Sequence, residues 1–89
     1  MKLLVFVKKD CPMCPQAKQI AGKVAKNLNL QIEILDVEKD ITTALMYNVF
    51  TTPSIVFEHK GISEVLSRGE PLNEEELENK IKELMENIT

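Results

Sequence analysis

KLLVFVKKDCPMCPQAKQIAGKVAKNL, residues 2–28, is the stretch on which the fold turns. Its opening run, Lys2 to Val7, is large and apolar with little alternation, the pattern of a strand buried on both faces as a parallel sheet requires. Lys8-Lys9-Asp10 ends the run. From Cys11 the spacing becomes helical: Ala17, Ile20, Ala21, Val24 and Leu28 fall on one stripe, with Lys18, Lys23, Lys26 and Asn27 largely off it. Asn27 to Asn29 supplies the stop. Gln31 to Val37 then alternates as a second strand whose facing the pattern leaves open. Strand, helix and strand within about 35 residues describe a right-handed crossover with the two strands parallel.

Outward from that unit, Asp40 reads as the cap of a short helix running to about Tyr47. Thr51-Thr52-Pro53 leads into a third strand, and Ser54 to Glu58 and Ile62 to Ser67 flank His59-Lys60-Gly61 as a tight hairpin. Asn73, with Glu76 three residues on, makes a capping-box-like start to a final amphipathic helix marked by Leu77, Ile81, Leu84 and Ile88. The expected order is βαβαββα, an α/β fold whose helices flank a four-stranded mixed sheet. Residues 1–89 show no internal repeat and no second boundary, so a single domain is expected.

Composition narrows the function. Apolar residues at 44% and charged residues at 28%, with three Gly and four Pro, exclude a disordered or collagen-like chain. The net charge is -3 and no Lys/Arg stripe is present to neutralise phosphates, so a nucleic-acid partner is not expected. Leu3 to Val7 is too short to span a bilayer or to form a signal-peptide core, and it lacks a small-residue cleavage site. No membrane association and a cytoplasmic location are therefore expected. Two cysteines three positions apart do not resemble a secreted disulfide framework, which spreads four or more along a chain. Their role is expected to be chemical.

Cys11-Pro12-Met13-Cys14 stands where a buried strand ends and a helix begins. Backbone N–H groups of a first helical turn lack carbonyl partners and, with the peptide dipoles, favour an anion nearby. With Cys11 at the cap, the N–H groups of Met13 and Cys14 would reach its sulfur, while Pro12 and Pro15 carry no N–H and leave none unmade. The thiolate is the nucleophile in disulfide exchange, and Lys8 and Lys9 would favour it, whereas Asp10 would oppose it if it pointed inward. Cys14 lies one turn on, its β-carbon roughly 5 to 6 Å from that of Cys11, a small adjustment from disulfide range. Cys11 would attack a substrate disulfide, and Cys14 would resolve the mixed disulfide.

Two other uses of the pair stand beside this one. A structural staple would close a ring of only four residues, worth roughly 2 kcal/mol. A tetrahedral metal needs four ligands, and His59, the one histidine, would lie six strand residues beyond Pro53, roughly 20 Å away. No metal ligands are assigned within one chain. Two copies could still share four thiolates around zinc or an iron–sulfur cluster.

With Cys-Pro-Met-Cys after the first strand and Thr51-Thr52-Pro53 opening a strand after the second helix, the chain resembles the thioredoxin and glutaredoxin superfamily. It looks like a glutaredoxin-sized thioredoxin-like protein. Leu35 to Pro53 and Arg68-Gly69 resemble thioredoxin, while the overall size and the Cys-Pro-Met-Cys composition look more like glutaredoxin, which lacks an extra N-terminal strand and helix. The resemblance implies a thioredoxin-type fold, a cis Pro53 packed against the disulfide, and a substrate surface that includes the Thr52 backbone, Pro53 and Gly69; Pro12 and Met13, between the cysteines at an exposed helix start, are expected to join it, Met13 with an apolar contact. Two departures stand out. Asp10 replaces the tryptophan that usually precedes the thioredoxin motif, and Val5 stands where the first strand would carry a buried acid. The Gly-Gly and acidic pair with which glutaredoxins hold glutathione is also missing.

The implied activity is that of a thiol–disulfide oxidoreductase, an electron carrier reducing protein disulfides, with no resident cofactor. Electrons would come from a flavoprotein thioredoxin reductase or a low-molecular-weight thiol, and the chain would act as a monomer. A glutathione-dependent glutaredoxin and a metal- or cluster-binding dimer are the alternatives. Met46, Met85 and Tyr47 sit at helical spacings suited to core or half-buried packing, His59 reads as a solvated turn residue, and the Glu74 to Glu76 run suits a helix N-terminus.

Overall fold

The computed structural model describes residues 1–69 and 73–88. Its elements follow in the order β1 (Lys2–Val7), α1 (Cys14–Leu28), β2 (Gln31–Asp36), α2 (Ile41–Met46), β3 (Ser54–His59), β4 (Ile62–Arg68) and α3 (Glu74–Ile88). The strands form one sheet in the order β2-β1-β3-β4. β1 pairs parallel with β2, and β3 runs antiparallel to both β1 and β4. This is the expected βαβαββα mixed sheet.

β1 is central and carries no alternation because both of its faces are covered. Leu3 and Val5 face a cluster with Ala21, Val24 and Ala25 of α1, Ile55 and Phe57 of β3, and Leu77 and Ile81 of α3. Leu4 and Phe6 face the opposite side, where they meet Ala44, Val49 and Val56, with Leu35, Val37, Tyr47 and Val65 at the margin. The α1 stripe read from the sequence is buried at Ala17, Ala21 and Val24, with Ile20 and Leu28 half-buried. Asn29 ends α1 in the left-handed conformation at φ 60°, which a short amide side chain tolerates better than most.

α3 begins with the reciprocal cap: the Glu76 N–H donates to Asn73 Oδ1 at 2.8 Å, and Asn73 Nδ2 donates to Glu76 Oε1 at 2.7 Å. The first turn holds Glu74, Glu75 and Glu76, where negative charge meets the positive end of the helix dipole.

Two scaffold readings are corrected. His59 is the last residue of β3, paired with Ile62 and half-buried, because the hairpin turns on Lys60 and Gly61 alone. Both turn residues have positive φ, 50° and 82°, the geometry of a two-residue hairpin matched to strand twist. Met46 is 75% exposed, not packed, because α2 is short and the only side chain it buries is that of Ala44. Tyr47 and Met85 are half-buried as expected. β2 is an edge strand, so Ile32 and Ile34 remain 39% and 47% exposed.

Tyr47 ties the second layer to the sheet. Its hydroxyl donates to Glu58 Oε2, and its ring lies 6.0 Å from that of Phe6 at 54°. The hydrogen bond to the Glu58 carboxylate, with partial burial and the charge of Glu58, pushes the Tyr47 hydroxyl up to about 12.

Candidate active site

Sheet register gathers the chemistry-bearing residues at one end of the molecule. β1 runs parallel to β2, so both carboxyl ends lie together, with the Val37 N–H donating to the Val7 carbonyl at 2.9 Å. β3 is antiparallel to β1 with Phe6 opposite Ser54, which sets Thr52-Pro53 beside the segment leaving Val7. β4 ends at the same edge, with Arg68 opposite Ser54. The Gly69 N–H donates to the Pro53 carbonyl at 2.9 Å. Ligand sites of open α/β sheets gather at such a carboxyl edge.

Cys11 and Cys14 are joined in a disulfide, with Cα atoms 5.4 Å apart. The two cysteines differ in access. Cys14, the first residue of α1, is 3% exposed, while Cys11 is half-buried in the preceding turn between Pro12 and Met13 on one side and Asp10 on the other. α1 starts three residues later than the sequence pattern suggests. Its cap is Met13, which offers no side-chain hydrogen bond, and Pro15 occupies the first turn. The Cys14 N–H reaches the Cys11 carbonyl at 3.4 Å and the Ala17 N–H donates to Met13 at 3.1 Å. Cys11 therefore sits just outside the positive end of the helix rather than at its cap.

The Thr52-Pro53 peptide bond is cis and Pro53 is fully buried. Ser54 Oγ donates to the Thr51 carbonyl at 2.6 Å, pinning the segment that leads into the cis bond. Gly69 has φ 79°, and a β-carbon there would come 3.5 Å from Thr51 Oγ1; the space is ordinary, so it is the left-handed backbone that calls for glycine. Pro12 is exposed and Met13 is 40% exposed, so both face solvent beside the disulfide. Lys8 and Lys9 are exposed and lie between the end of β1 and the disulfide. Asp10 is exposed rather than inward, and it adopts a left-handed φ of 63° immediately before Cys11. Val5 is fully buried, so no carboxylate stands at that point of β1.

The sequence reading missed a groove. A cavity of about 600 Å³ opens beside Thr51 and Thr52 and runs along α2, lined also by Lys8, Glu38, Ile41, Leu45 and Phe50. The signal was present: a helix as short as α2 cannot bury Ile41, Leu45 and Met46 together. Among the described residues no group of His, Cys, Asp and Glu is arranged to hold a metal ion.

The thioredoxin-domain family model matches residues 1–82. Thioredoxin 1 from the thermophilic eubacterium Thermosipho africanus superposes with a TM-score of 0.82 at 25% identity, covering 97% of this chain and 96% of that one. Chloroplastic thioredoxin z, at 16% identity and TM-score 0.78, covers 94% of this chain and 77% of its own. The oxidised thioredoxin from Plasmodium falciparum, at 17% identity and TM-score 0.72, covers 93% and 79%. These last two speak for the fold alone. No curated protein sequence matches the chain. A family match over nearly its whole length, on a sheet that brings a Cys-X-X-Cys disulfide and a cis-proline to one edge, shows that the chain belongs to the thioredoxin family and is a thiol–disulfide oxidoreductase.

Proposed function

We propose that the chain is a reductant of protein disulfides, with Cys11 as the attacking sulfur and Cys14 as the resolving one. The unequal access of the two sulfurs carries this reading, since only the half-exposed one is open to an incoming disulfide. In the reduced protein Cys11, as thiolate, attacks one sulfur of the substrate, forming a mixed disulfide and expelling the other sulfur as a thiolate that takes up a proton. Cys14 then loses its proton and attacks Cys11, releasing the second substrate thiol. Two electrons and two protons leave the protein, and the Cys11–Cys14 bond is the product. Lys8 and Lys9 favour the Cys11 anion, and Pro12, Met13, Thr52, Pro53 and Gly69 form the surface against which substrate lies.

Recharging reverses the exchange, with electrons from a flavoprotein reductase or a low-molecular-weight thiol. We place the protein in the cytoplasm, acting as a monomer, on the charge and the cysteine spacing already described. The test is dithiothreitol-driven reduction of insulin, followed as precipitation of the free B chain. Catalytic amounts of the protein are expected to shorten the lag severalfold, and Cys11→Ser to abolish the effect. A lag equal to that of dithiothreitol alone would overturn the reading, and turnover with glutathione only would replace it with a glutaredoxin-like one.

A further inference from the structure

From the free edge of β2 we infer that two copies of this chain associate reversibly, their β2 strands pairing antiparallel about a two-fold axis with Ile32 of one copy opposite Ile34 of the other. The inference is independent of which disulfides the site reduces.

β2 ends the sheet on one side and β4 on the other. The two edges differ. β4 carries a bulge where its register shifts between Ile55 and Val56 of β3, one of the devices that keep an edge from recruiting another strand. β2 keeps an unbroken register with β1 from Gln31 to Asp36 and contains no proline. Its backbone phase is fixed at both ends, where the Gln31 N–H donates to the Met1 carbonyl at 3.3 Å and the Val37 N–H to the Val7 carbonyl at 2.9 Å. Odd-numbered residues of the strand thus turn their backbone groups toward β1, and Ile32, Ile34 and Asp36 turn theirs outward. The Asp36 carbonyl already accepts from the Lys39 and Asp40 N–H groups, and the Leu30 N–H already donates to Ala25. Among the described residues of this edge, Ile32 and Ile34 are left with both an N–H and a carbonyl unpaired.

These free groups identify the occupant. A two-fold antiparallel pairing of Ile32 with Ile34 engages all of them in both copies, since each opposed pair exchanges both of its N–H···O bonds. Sliding the register toward either end brings Leu30 or Asp36 against them, whose N–H or carbonyl is already taken. The side chains fit the same register. Ile32 and Ile34 lie on the α1 side of the sheet, opposite Leu3 and Val5, and are 39% and 47% exposed; facing each other across the axis, they cover one another. On the other face Glu33 meets Glu33 of the second copy. Directly opposed like charges destabilise a sheet, but the Lys2 ammonium of the same chain lies 2.9 Å from each carboxylate, so two ion pairs meet instead of two bare charges. One strand pair is smaller than the roughly 2,000 Å² or more that permanent dimers bury, so the association is reversible. Thr52-Pro53 and Gly69 lie on the β3–β4 side of the sheet, clear of the seam, and each chain goes on acting alone.

Sedimentation equilibrium of the oxidised wild-type chain, from about 10 μM to about 1 mM, is expected to show a monomer–dimer equilibrium with no larger species. Two variants, with folding verified by circular dichroism, address the edge: Ile34→Pro removes an outward N–H that β1 does not use, and Ile32→Lys/Ile34→Lys places charge along the strand. Each is expected to weaken association at least about tenfold. A cross-link reads the register. In a Cys11→Ser/Cys14→Ser background, Glu33→Cys sets two Cα atoms about 4.5 Å apart across the axis, within disulfide range, and oxidation with copper–phenanthroline should link the chains. Gln31→Cys in the same background, roughly 13 Å from its counterpart along the strand, should stay unlinked. A wild-type chain that remains monomeric up to about 1 mM would overturn the inference. So would a dimer that survives both edge variants, which another surface would then hold, or linking through residue 31 as fast as through residue 33. If the monomer instead takes up an unrelated extended peptide, seen as shifts of the Ile32 and Ile34 amide signals, the edge serves a different partner and the inference falls.

Discussion

Reducing the Cys11–Cys14 bond should destabilise the fold by a small and calculable amount. The ring spans only Cys11 to Cys14, and loop closure over four residues is worth about 2 kcal/mol in the unfolded chain. The native side should change little on reduction, because Cys14 is a buried residue at the start of α1 and Cys11 lies in the turn just before it. The ring constraint then dominates the difference between the two forms. With a urea slope of about 1 to 3 kcal/mol per molar for a small domain, the oxidised midpoint should lie higher by about 0.7 to 2 M. The thermodynamic cycle gives the same quantity as a potential: the folded couple should lie about 40 mV below the unfolded one, at 30 mV per 1.4 kcal/mol. Parallel urea titrations at pH 7, with and without a phosphine reductant, measure the first, and equilibration with glutathione buffers in and out of denaturant measures the second. A reduced form as stable as the oxidised one, or more stable, would refute the reasoning. It would mean that the fold stabilises the free thiols by at least as much as the ring constrains the chain, so that folding does not bias the couple toward the disulfide.

Three further outcomes follow from particular contacts. Tyr47→Phe removes a hydrogen bond to the Glu58 carboxylate and should cost about 1 kcal/mol at neutral pH, a partly exposed charged bond being worth less than a buried one. The folded-state value of about 12 lies above the ordinary value of 10.0, so this stability is complete below pH 10 and is lost as the pH rises from there through 12; the Phe variant should lack that alkaline decline in urea titrations. Gly69→Ala forces a β-carbon onto a backbone at φ 79°, which should cost about 1 to 2 kcal/mol and lower the denaturation midpoint. Phe6→Ala empties a fully buried site against Ala44, Val49 and Val56, and the expected loss of about 3 to 5 kcal/mol should leave calorimetry showing a strongly lowered or absent transition.

The elements that read clearly from the sequence are those whose two sides are both decided locally. β1 has no alternation because helices cover both of its faces, and the Asn73/Glu76 pair specifies its own hydrogen bonds. What could not be read depends on what lies across from an element. The hydrophobic residues of β2 and α2 look like core in one dimension, yet β2 is an edge and α2 is too short to turn them all inward. The start of α1 was misplaced because Met13 caps it without a side-chain bond, leaving no polar cap residue to mark the boundary. The cysteines and Pro53 were legible as a site because spacing and position carry their chemistry. The groove was not, since it exists only once α2 stands beside Thr51-Thr52.

The most direct test of the account maps the sulfur that carries substrate. Reduced Cys14→Ser protein is mixed with a cystine peptide, quenched in acid and digested for mass spectrometry under non-reducing conditions. One peptide adduct is expected, on Cys11, stable because nothing resolves it, and the reduced Cys11→Ser protein treated the same way should remain essentially unmodified. An adduct that forms readily on Cys14 in Cys11→Ser, with Cys11 inert in Cys14→Ser, would contradict it.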